Sequence, residues 1–295
     1  MNFKDFLPIT QGEVNQAFNP SCPIQYLLTD SRSGIQNRAS LFFAICGERH
    51  DGHRYINELY ARGVRQFVVE QLPENAFPEA NILVVPNTIT ALQQIVAYHR
   101  QQFSFPVVGI TGSNGKTIVK EWLSQLLLTT ERVVRNPKSY NSQIGVPLSV
   151  WAMDDSHTIG VFEAGISQAG EMKKLAKVLQ PTIGIFTNIG PPHDEGFASR
   201  KQKVEEKSLL FTSADTIIYR EDYLLIDEVL KEKYKEGKLC SWSIDFDKQA
   251  KYYVRWNKDK TDTEIIVENK TNQESWNFLV QFRDEASLEK ITKCN

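Results

Sequence analysis

The chain has 295 residues, which is enough for two domains of ordinary size that each bury a core. A formal net charge of -2 and an isoelectric point near 6.3 exclude a global field that would gather nucleic acid or an anionic membrane. We expect neither a signal peptide nor a membrane span, because no basic segment precedes an apolar run and no stretch approaches ~18 apolar residues. The four cysteines lack C-x-x-C spacing, which favours reduced thiols in a cytoplasmic protein over disulfides or a zinc site.

The amino-terminal third alternates short apolar runs with amphipathic helical patterns. Buried strands are predicted at LFFAI (41–45), QFVVE (66–70) and NILVVP (81–86), and helices at HRYINELYARG (53–63) and TALQQIVAYHRQQF (90–103). Strands that alternate with helices predict a small α/β domain, which we place at residues 1–102. The break at QFSFP (102–106) then opens a second domain over residues 103–295.

Three apolar strands of the second domain run directly into polar segments. VVGIT (107–111) leads to GSNGKT, TIGVF (158–162) leads to EAGIS, and PTIGIF (181–186) leads to TNIGPPHDEGF. Ligands of open parallel sheets bind beyond the carboxyl ends of the strands, so these three loops are expected to line one crevice.

The distal part of the second domain has a different pattern. TIIYR (216–220) and a basic helix are followed by KLCSWSID, KYYVRWN, TEIIVEN and SWNFLVQF, which predict a run of β-hairpins. DEASLEKITKCN indicates the capped opening of a helix without a Gly or Pro stop, so we expect the chain to be a fragment of a longer protein. The predicted fold class is α/β, with a P-loop NTPase-like central domain whose sheet is mostly parallel.

The segment GITGSNGKT indicates a phosphate-binding loop, although Ile110 stands where the general G-x-x-x-x-G-K-[ST] pattern requires a glycine. Backbone N–H groups of Gly112, Ser113, Asn114 and Gly115 can point at a phosphate in front of a helix amino terminus. Lys116 can neutralise phosphate charge, and the Thr117 hydroxyl can ligate Mg²⁺. A chance glycine turn is the alternative, which the strand before and the helix after the loop disfavour.

Two further residues of the crevice are candidate ligands. Glu163 follows a strand end, where a magnesium-binding carboxylate belongs, although a solvated glutamate is the plain alternative. His193 lies past another strand end, and only its place in the crevice favours a ligand over an ordinary surface histidine. The residues alone give no reason to prefer Lys207 to Lys201 or Lys203.

Together GITGSNGKT, NSQIGVPLS (141–149), FEAGIS and TNIGPPHDEGFAS with EEKSLLF resemble the Mur ligase family of peptidoglycan synthesis. Within it they most resemble the members that add D-alanyl-D-alanine to UDP-N-acetylmuramoyl-tripeptide. TDSRSG with LFFAICGERHDGHRYI is similar to the family segment that binds the uridine diphosphate end of the substrate. The resemblance covers nearly the whole chain and implies an ATP-dependent, ADP-forming ligase without nucleic acid or membrane partners.

The resemblance also implies roles for individual residues. Lys116 and Thr117 would hold ATP and a first Mg²⁺, Glu163 would bridge to magnesium, and His193 would help to hold a second ion. The family's carbamylated lysine, a cation turned into a metal-ligating anion, would be Lys207. Asn141 is implied at the ATP site. The residues implied at the uracil end of the other substrate are Ser31, Arg32, Glu48, Arg49 and His50.

The implied reaction forms an amide through an acyl phosphate. A carboxylate attacks the γ-phosphate of ATP, and the dipeptide amine then displaces phosphate, while Lys116 and two Mg²⁺ stabilise the transferring group. Ser113 and Ser142 depart from the family's usual threonine and asparagine. The family's adenine-contacting segment and carboxyl-terminal domain are not found in this sequence, so we expect the chain alone not to complete ligation. Its ending is compatible with fusion to an alanine racemase.

Three other functions remain open at this point. The chain could belong to a Mur-type ligase that adds the third peptide residue, to a folylpolyglutamate synthase, or to a non-catalytic nucleotide-binding module. The NSQIGVPL segment and the D-S-R domain favour the D-alanyl-D-alanine-adding members.

Overall fold

The computed structural model describes residues 1–32, 37–47, 50–190 and 196–294. The chain divides into two compact units, Met1–Gln102 and Phe103–Asn295. Within the described residues, no helix combines the length and apolar character needed to cross a membrane.

The first unit is built on a five-stranded sheet in the order β1-β7-β6-β3-β2. The strands are β1 (Glu13–Ala17), β2 (Tyr26–Leu28), β3 (Ser40–Phe43), β6 (Gln66–Val69) and β7 (Asn81–Val84), with a separate hairpin of β4 (Cys46–Gly47) and β5 (His50–Asp51). The helices are α1 (Phe6–Thr10), α2 (Ile56–Ala61) and α3 (Thr88–Arg100). All neighbours in the sheet are parallel except β1, which runs antiparallel to β7. β3 and β6 are buried along their whole length, and accordingly every residue after Ser40 and Gln66, with which they begin, is apolar.

The second unit contains a nine-stranded sheet in the order β16-β15-β14-β13-β12-β11-β8-β10-β9. Its strands are β8 (Val107–Thr111), β9 (Val133–Arg135), β10 (Ile159–Glu163), β11 (Ile183–Phe186), β12 (Thr216–Arg220), β13 (Leu239–Ser243), β14 (Tyr252–Lys258), β15 (Thr263–Asn269) and β16 (Ser275–Val280). Its helices are α4 (Lys116–Leu127), α5 (Gly145–Val150), α6 (Glu171–Leu179), α7 (Arg200–Ser208), α8 (Leu224–Lys233) and α9 (Glu285–Thr292). The α/β class with a mostly parallel central sheet is therefore confirmed.

The distal hairpins begin later than the sequence predicts. β14, β15 and β16 form two antiparallel pairs, as expected from the turns between them. β13, however, pairs in parallel with both β12 and β14, so the expectation that KLCSWSID opens a hairpin is wrong. The physical reason is that β13 follows α8 and continues the parallel crossover pattern of the preceding strands.

The centre of the parallel sheet determines where the polar loops meet. β8 lies between β10 and β11 and is parallel to both, so the carboxyl ends of these strands share one edge. Buried side chains of β8, α4, β10 and β11 form one core cluster, which includes Ile110, Val119, Val161 and Ile185. The apolar core thus fixes the strand ends from which the candidate site is built.

Candidate functional site

The loop between β8 and α4 has the backbone conformation of a phosphate cradle. Gly112 and Gly115 adopt φ values of 141° and 81°, which side-chain-bearing residues rarely take. A Cβ atom on Gly112 would lie 2.0 Å from Thr187 Oγ1, so the close approach of the loop to β11 also requires glycine. Lys116 is the first residue of α4, which places the loop N–H groups at a helix amino terminus.

Two residues that follow β11 hold the loop in place. The Asn188 carbonyl accepts from Ser113 N at 2.9 Å, and Asn188 Oδ1 accepts from Asn114 N at 3.0 Å. The Thr187 hydroxyl donates to the Asn114 carbonyl at 2.7 Å. Thr187 and Asn188 were not among the predicted site residues, although their position directly after a strand was the available signal.

Lys116 is folded back over its own loop. Its Nζ donates to the carbonyls of Gly112 at 3.0 Å and Ser113 at 3.3 Å. Burial lowers the pKa of Lys116; nearby Glu163 opposes this shift and Lys203 adds to it. The ammonium therefore lies at the mouth of the cradle, where a phosphate would offer it better acceptors than neutral carbonyls.

Thr117 and Glu163 meet across the crevice between α4 and β10. The Thr117 hydroxyl donates to Glu163 Oε2 at 2.8 Å, and it lies 3.2 Å from Ser139 Oγ. Glu163 is fully buried, so the alternative of a solvated glutamate is wrong. Its other oxygen, Oε1, is buried with no hydrogen-bond donor in the described part of the chain. A hydroxyl and a carboxylate with an unsatisfied buried oxygen are the hard ligands that Mg²⁺ prefers, so these residues fit a magnesium ion.

Helix α7 distinguishes the three lysines that the sequence left equivalent. Lys201 is 42% exposed and pairs with Glu228 at 2.7 Å, whereas Lys203 and Lys207 are only 4% and 3% exposed. Burial, followed by the charges of Lys116 and Lys203, lowers the pKa of Lys207 to about 7. Lys207 therefore carries an amine that is partly neutral near pH 7, close to the phosphate loop.

Asn141 lies against the turn that follows β10. Its carbonyl accepts from Gly165 N at 2.9 Å, and a Cβ atom on Gly165 would lie 3.1 Å from Asn141 Cγ. The Ser142 hydroxyl instead accepts from Gly145 N at 3.1 Å, at the start of α5. The structure thus brings Asn141 near the strand that ends in Glu163, while His193 lies outside the described residues.

The first unit has its own cavity of about 490 Å³, which is lined by Thr29, Asp30, Ser31, Arg32, His50, Tyr55 and Glu58. Ser31, Arg32 and His50 are brought together there, while Glu48 and Arg49 lie outside the described residues. Arg32 pairs with Asp30 at 2.6 Å, and its hydrogen bonds lower the pKa of that carboxyl to about 2. The rings of His50 and Tyr55 stack with their centroids 5.5 Å apart.

The side chains of Cys46, Asp51 and His53 in the same unit lie close enough together to hold a metal ion. The protons on the thiol and on the imidazole ring argue against a metal centre. His53 Nε2 accepts from the backbone N–H groups of Glu70 at 3.1 Å and Gln71 at 3.3 Å. The ring proton is therefore on Nδ1, which donates to Asp51 Oδ1 at 2.8 Å. Burial and the neighbouring carboxylate raise the pKa of the Cys46 thiol to about 11, so the cluster fastens the β4–β5 hairpin.

Comparison with known proteins adds sequence and structural relatives. A protein of Bacillus subtilis (strain 168) named UDP-N-acetylmuramoyl-tripeptide--D-alanyl-D-alanine ligase is 35% identical over 204 residues, which are 69% of this chain and 44% of that protein. A protein of the same name from Buchnera aphidicola subsp. Acyrthosiphon pisum (strain APS) is 29% identical over 256 residues, or 86% of this chain and 54% of that protein. The chain therefore spans about half the length of these relatives.

Solved structures agree in fold. A crystal structure of MurF from Acinetobacter baumannii superposes with a TM-score of 0.85 at 25% identity, covering 99% of this chain and 63% of that one. MurF ligase from Thermotoga maritima in complex with ADP superposes with a TM-score of 0.77 at 24% identity, covering 92% and 61%. The family model of the Mur ligase middle domain matches residues 110–283, which include the phosphate loop, Glu163 and Lys207. The chain belongs to the Mur ligase family.

Proposed function

We propose that the chain serves an ATP-dependent, ADP-forming ligase of peptidoglycan precursor synthesis that joins D-Ala-D-Ala to UDP-N-acetylmuramoyl-tripeptide. The contact between Thr117 and Glu163 at 2.8 Å, at the end of a glycine cradle, carries the proposal. It pairs a phosphate loop with a buried carboxylate, as a metal-assisted phosphoryl transfer requires. The names of the similar proteins supply the two substrates.

In this proposal the cradle residues Gly112 to Thr117 hold the phosphates of ATP, with Asn141 beside them. Thr117 and Glu163 would hold Mg²⁺, and His193 would help to hold a second ion. The ions would supply positive charge against the negative charge of the transferring phosphoryl group. Lys116 exchanges its contacts with the loop carbonyls, at 3.0 and 3.3 Å, for phosphate oxygens and so neutralises charge at the same point.

Lys207 is the residue that we propose to be carbamylated. A neutral amine attacks the carbon of CO₂ and loses one proton, which leaves a carbamate with two oxygens and one negative charge. The lowered pKa of Lys207, about 7, supports this step because much of the amine is unprotonated near neutral pH. The product would place an anion where the charges of Lys116 and Lys203 act on Lys207, and those two lysines would stabilise it.

The cavity of the first unit is the site that we propose for the uridine diphosphate end of the substrate. A volume of about 490 Å³ lies within the range of small-molecule sites. The His50–Tyr55 stack offers an aromatic surface for a planar base, and Ser31 and Arg32 offer polar groups for it or for the phosphates. Glu48 and Arg49 belong to the same proposed site.

The reaction then needs two displacements. The terminal carboxylate of the tripeptide attacks the γ-phosphorus of ATP, the bond to the β-phosphate oxygen breaks, and ADP leaves. The amine of D-Ala-D-Ala attacks the acyl carbon, phosphate leaves with the bonding electrons, and the amine loses a proton. The described residues position and neutralise these groups, and none is required to form a covalent bond to them.

Titration calorimetry with UDP-linked ligands tests the substrate assignment. We expect the chain to bind UDP-N-acetylmuramoyl-tripeptide, and to bind the corresponding dipeptide form less tightly because that form lacks the contacts of the third peptide residue. Tyr55→Ala should weaken binding of UDP alone by about tenfold, the loss of one aromatic stacking contact, and leave ADP binding unchanged.

A preference for the dipeptide form would favour a third-residue-adding ligase. No binding of either would contradict the proposal and favour folylpolyglutamate synthase or a nucleotide-binding module.

A further inference from the structure

Lys120 is a fully buried lysine one helical turn after Lys116, and the proposed reaction gives it no role. Its Nζ donates to the Asn136 carbonyl at 2.9 Å and to the Lys138 carbonyl, and it lies 3.2 Å from Glu121 Oε1. The two carbonyls accept two of the three ammonium protons, and the Glu121 carboxylate adds an ion pair. A buried lysine with this set of contacts is held in one orientation.

The same ammonium lies 3.8 Å from Glu163 Oε1. That distance is too long for a hydrogen bond but close enough for strong attraction between two buried charges. This ion pair explains how Glu163 Oε1 can be buried without a hydrogen-bond donor. Lys120 compensates the charge of the carboxylate and leaves the lone pairs of Oε1 unoccupied. The carboxylate is thus paired electrostatically and still able to bind a cation.

Asn136 fastens the backbone on both sides of this pair. Its Oδ1 accepts from Glu163 N at 2.7 Å, and its Nδ2 donates to the Tyr140 carbonyl at 2.7 Å and to the Glu163 carbonyl at 3.3 Å. The segment 136–140 also carries Ser139, whose hydroxyl lies 3.2 Å from Thr117 Oγ1. Lys120 and Asn136 therefore connect this segment to the carboxylate that faces Thr117.

We propose that Lys120 is a positioning residue for the divalent ion of the phosphate site. It holds the Glu163 carboxylate in the orientation in which Oε2 faces Thr117 and Oε1 is free, so that a metal–nucleotide complex meets ligands that are already ordered. This inference rests on the proposed function and names no new ligand. Its consequence is specific: loss of Lys120 weakens the metal's contribution to nucleotide binding while the backbone cradle and Lys116 remain.

The test is calorimetric binding of ADP to the whole chain with and without Mg²⁺, for the wild type and for Lys120→Met. We expect the metal-free affinity to stay within about twofold and the gain in affinity from Mg²⁺ to fall by about tenfold or more, as is typical when the group that orients a metal ligand is removed. With Mn²⁺ in place of Mg²⁺, the electron paramagnetic resonance spectrum of the bound ion should broaden in the variant. A role in folding alone would change neither quantity in molecules that remain folded.

Lys293→Met is the matched control, because Lys293 is also a buried lysine, at 4% exposure, and pairs with Glu289 at 2.6 Å. Lys293→Met should lower the thermal stability of the chain without changing the gain in ADP affinity from Mg²⁺. If Lys120→Met does not fold, Lys120→Gln keeps a donor for the loop carbonyls, and the same loss is expected there. An unchanged gain in a folded Lys120 variant overturns the inference alone, whereas a wild-type chain that gains nothing from Mg²⁺ overturns the proposed function and this inference with it.

Discussion

Buried charge is the feature that the functional side chains of the second unit share. Glu163, Lys120 and Lys207 are between 0% and 3% exposed, although ionised groups are normally solvated. Glu163 and Lys120 compensate each other at 3.8 Å, while burial, and after it the charges of Lys116 and Lys203, lowers the pKa of Lys207. Burial of these charges lowers the free energy of unfolding. Such buried charges are typical of sites that bind an ionic ligand.

The lowered pKa of Lys207 leads to a pH-dependent prediction. Carbamate formation requires the neutral amine, so its extent should rise as the pH increases through the pKa of about 7. In ¹³C-bicarbonate solution, a carbamate resonance should grow from about pH 6 to about pH 8, since a lysine with an ordinary pKa near 10.4 would remain protonated there. The signal should be absent in Lys207→Met and present in Lys201→Met. A wild-type chain without the signal would contradict the assignment.

Sequence reasoning identified the residues that stand at strand ends and missed those that support them. Thr117 could be predicted from the order G-S-N-G-K-T after β8, and Glu163 could be predicted because it ends the apolar strand β10. The roles of Lys120, Asn136 and Asn188 depend on which side chains are buried and which loops meet. Those contacts join residues far apart in the chain, so a local pattern such as GKTIVKEW does not reveal them.

At the scale of elements, helix α9 is held to the sheet by a compact ionic network. Glu289 accepts from Tyr223 at 2.8 Å and pairs with Lys293 at 2.6 Å and with Arg220 at 3.4 Å. Apolar contacts of Leu288 with the β13–β15 side of the sheet complete the docking. The docking of the helix thus depends on a carboxylate that balances buried Lys293 and also contacts Arg220, which has a second partner in Asp222 at 2.7 Å.

Glu289→Ala should accordingly destabilise the chain by about 3–5 kcal/mol, because it leaves the buried ammonium of Lys293 without its carboxylate, whereas Arg220 keeps its pair with Asp222 at 2.7 Å. Denaturant unfolding gives the magnitude, and hydrogen exchange should show α9 opening first. The control is Glu268→Ala, which removes an exposed pair with Arg255 at 2.6 Å and should cost less than about 1 kcal/mol. Equal losses in the two variants would show that the network does not hold the helix.

Strongly apolar elements were predictable, and short or exposed ones were not. β6, β8 and β11 are buried almost throughout and were recognised from their apolar runs. β1, which is mostly exposed, and β9, which has only three residues, offer no such pattern. Their pairing depends on neighbouring strands and not on their own composition.

At the scale of the whole molecule, the chain consists of two units that each contain a candidate binding site. The first offers a cavity beside stacked rings, and the second offers a glycine cradle with a buried carboxylate. A generic nucleotide-binding module has no use for the first site, so two independent binding events distinguish the ligase proposal from that alternative. The assignment of uridine nucleotide to one unit and ATP to the other remains a prediction.

We propose that the loop from Gly112 to Thr117 binds the phosphates of ATP with Mg²⁺. Calorimetry that measures the affinity of the wild type and of Lys116→Ala for ATP–Mg²⁺ is a direct test. Within the described part of the chain, the hydrogen bonds of Lys116 Nζ go to carbonyls of its own loop, at 3.0 and 3.3 Å, so the variant should remain folded. We predict one site in the wild type and a loss of about a hundredfold or more in the variant, since two charge-assisted hydrogen bonds are removed. Equal affinity in the two proteins would show that this loop does not bind the phosphates of ATP.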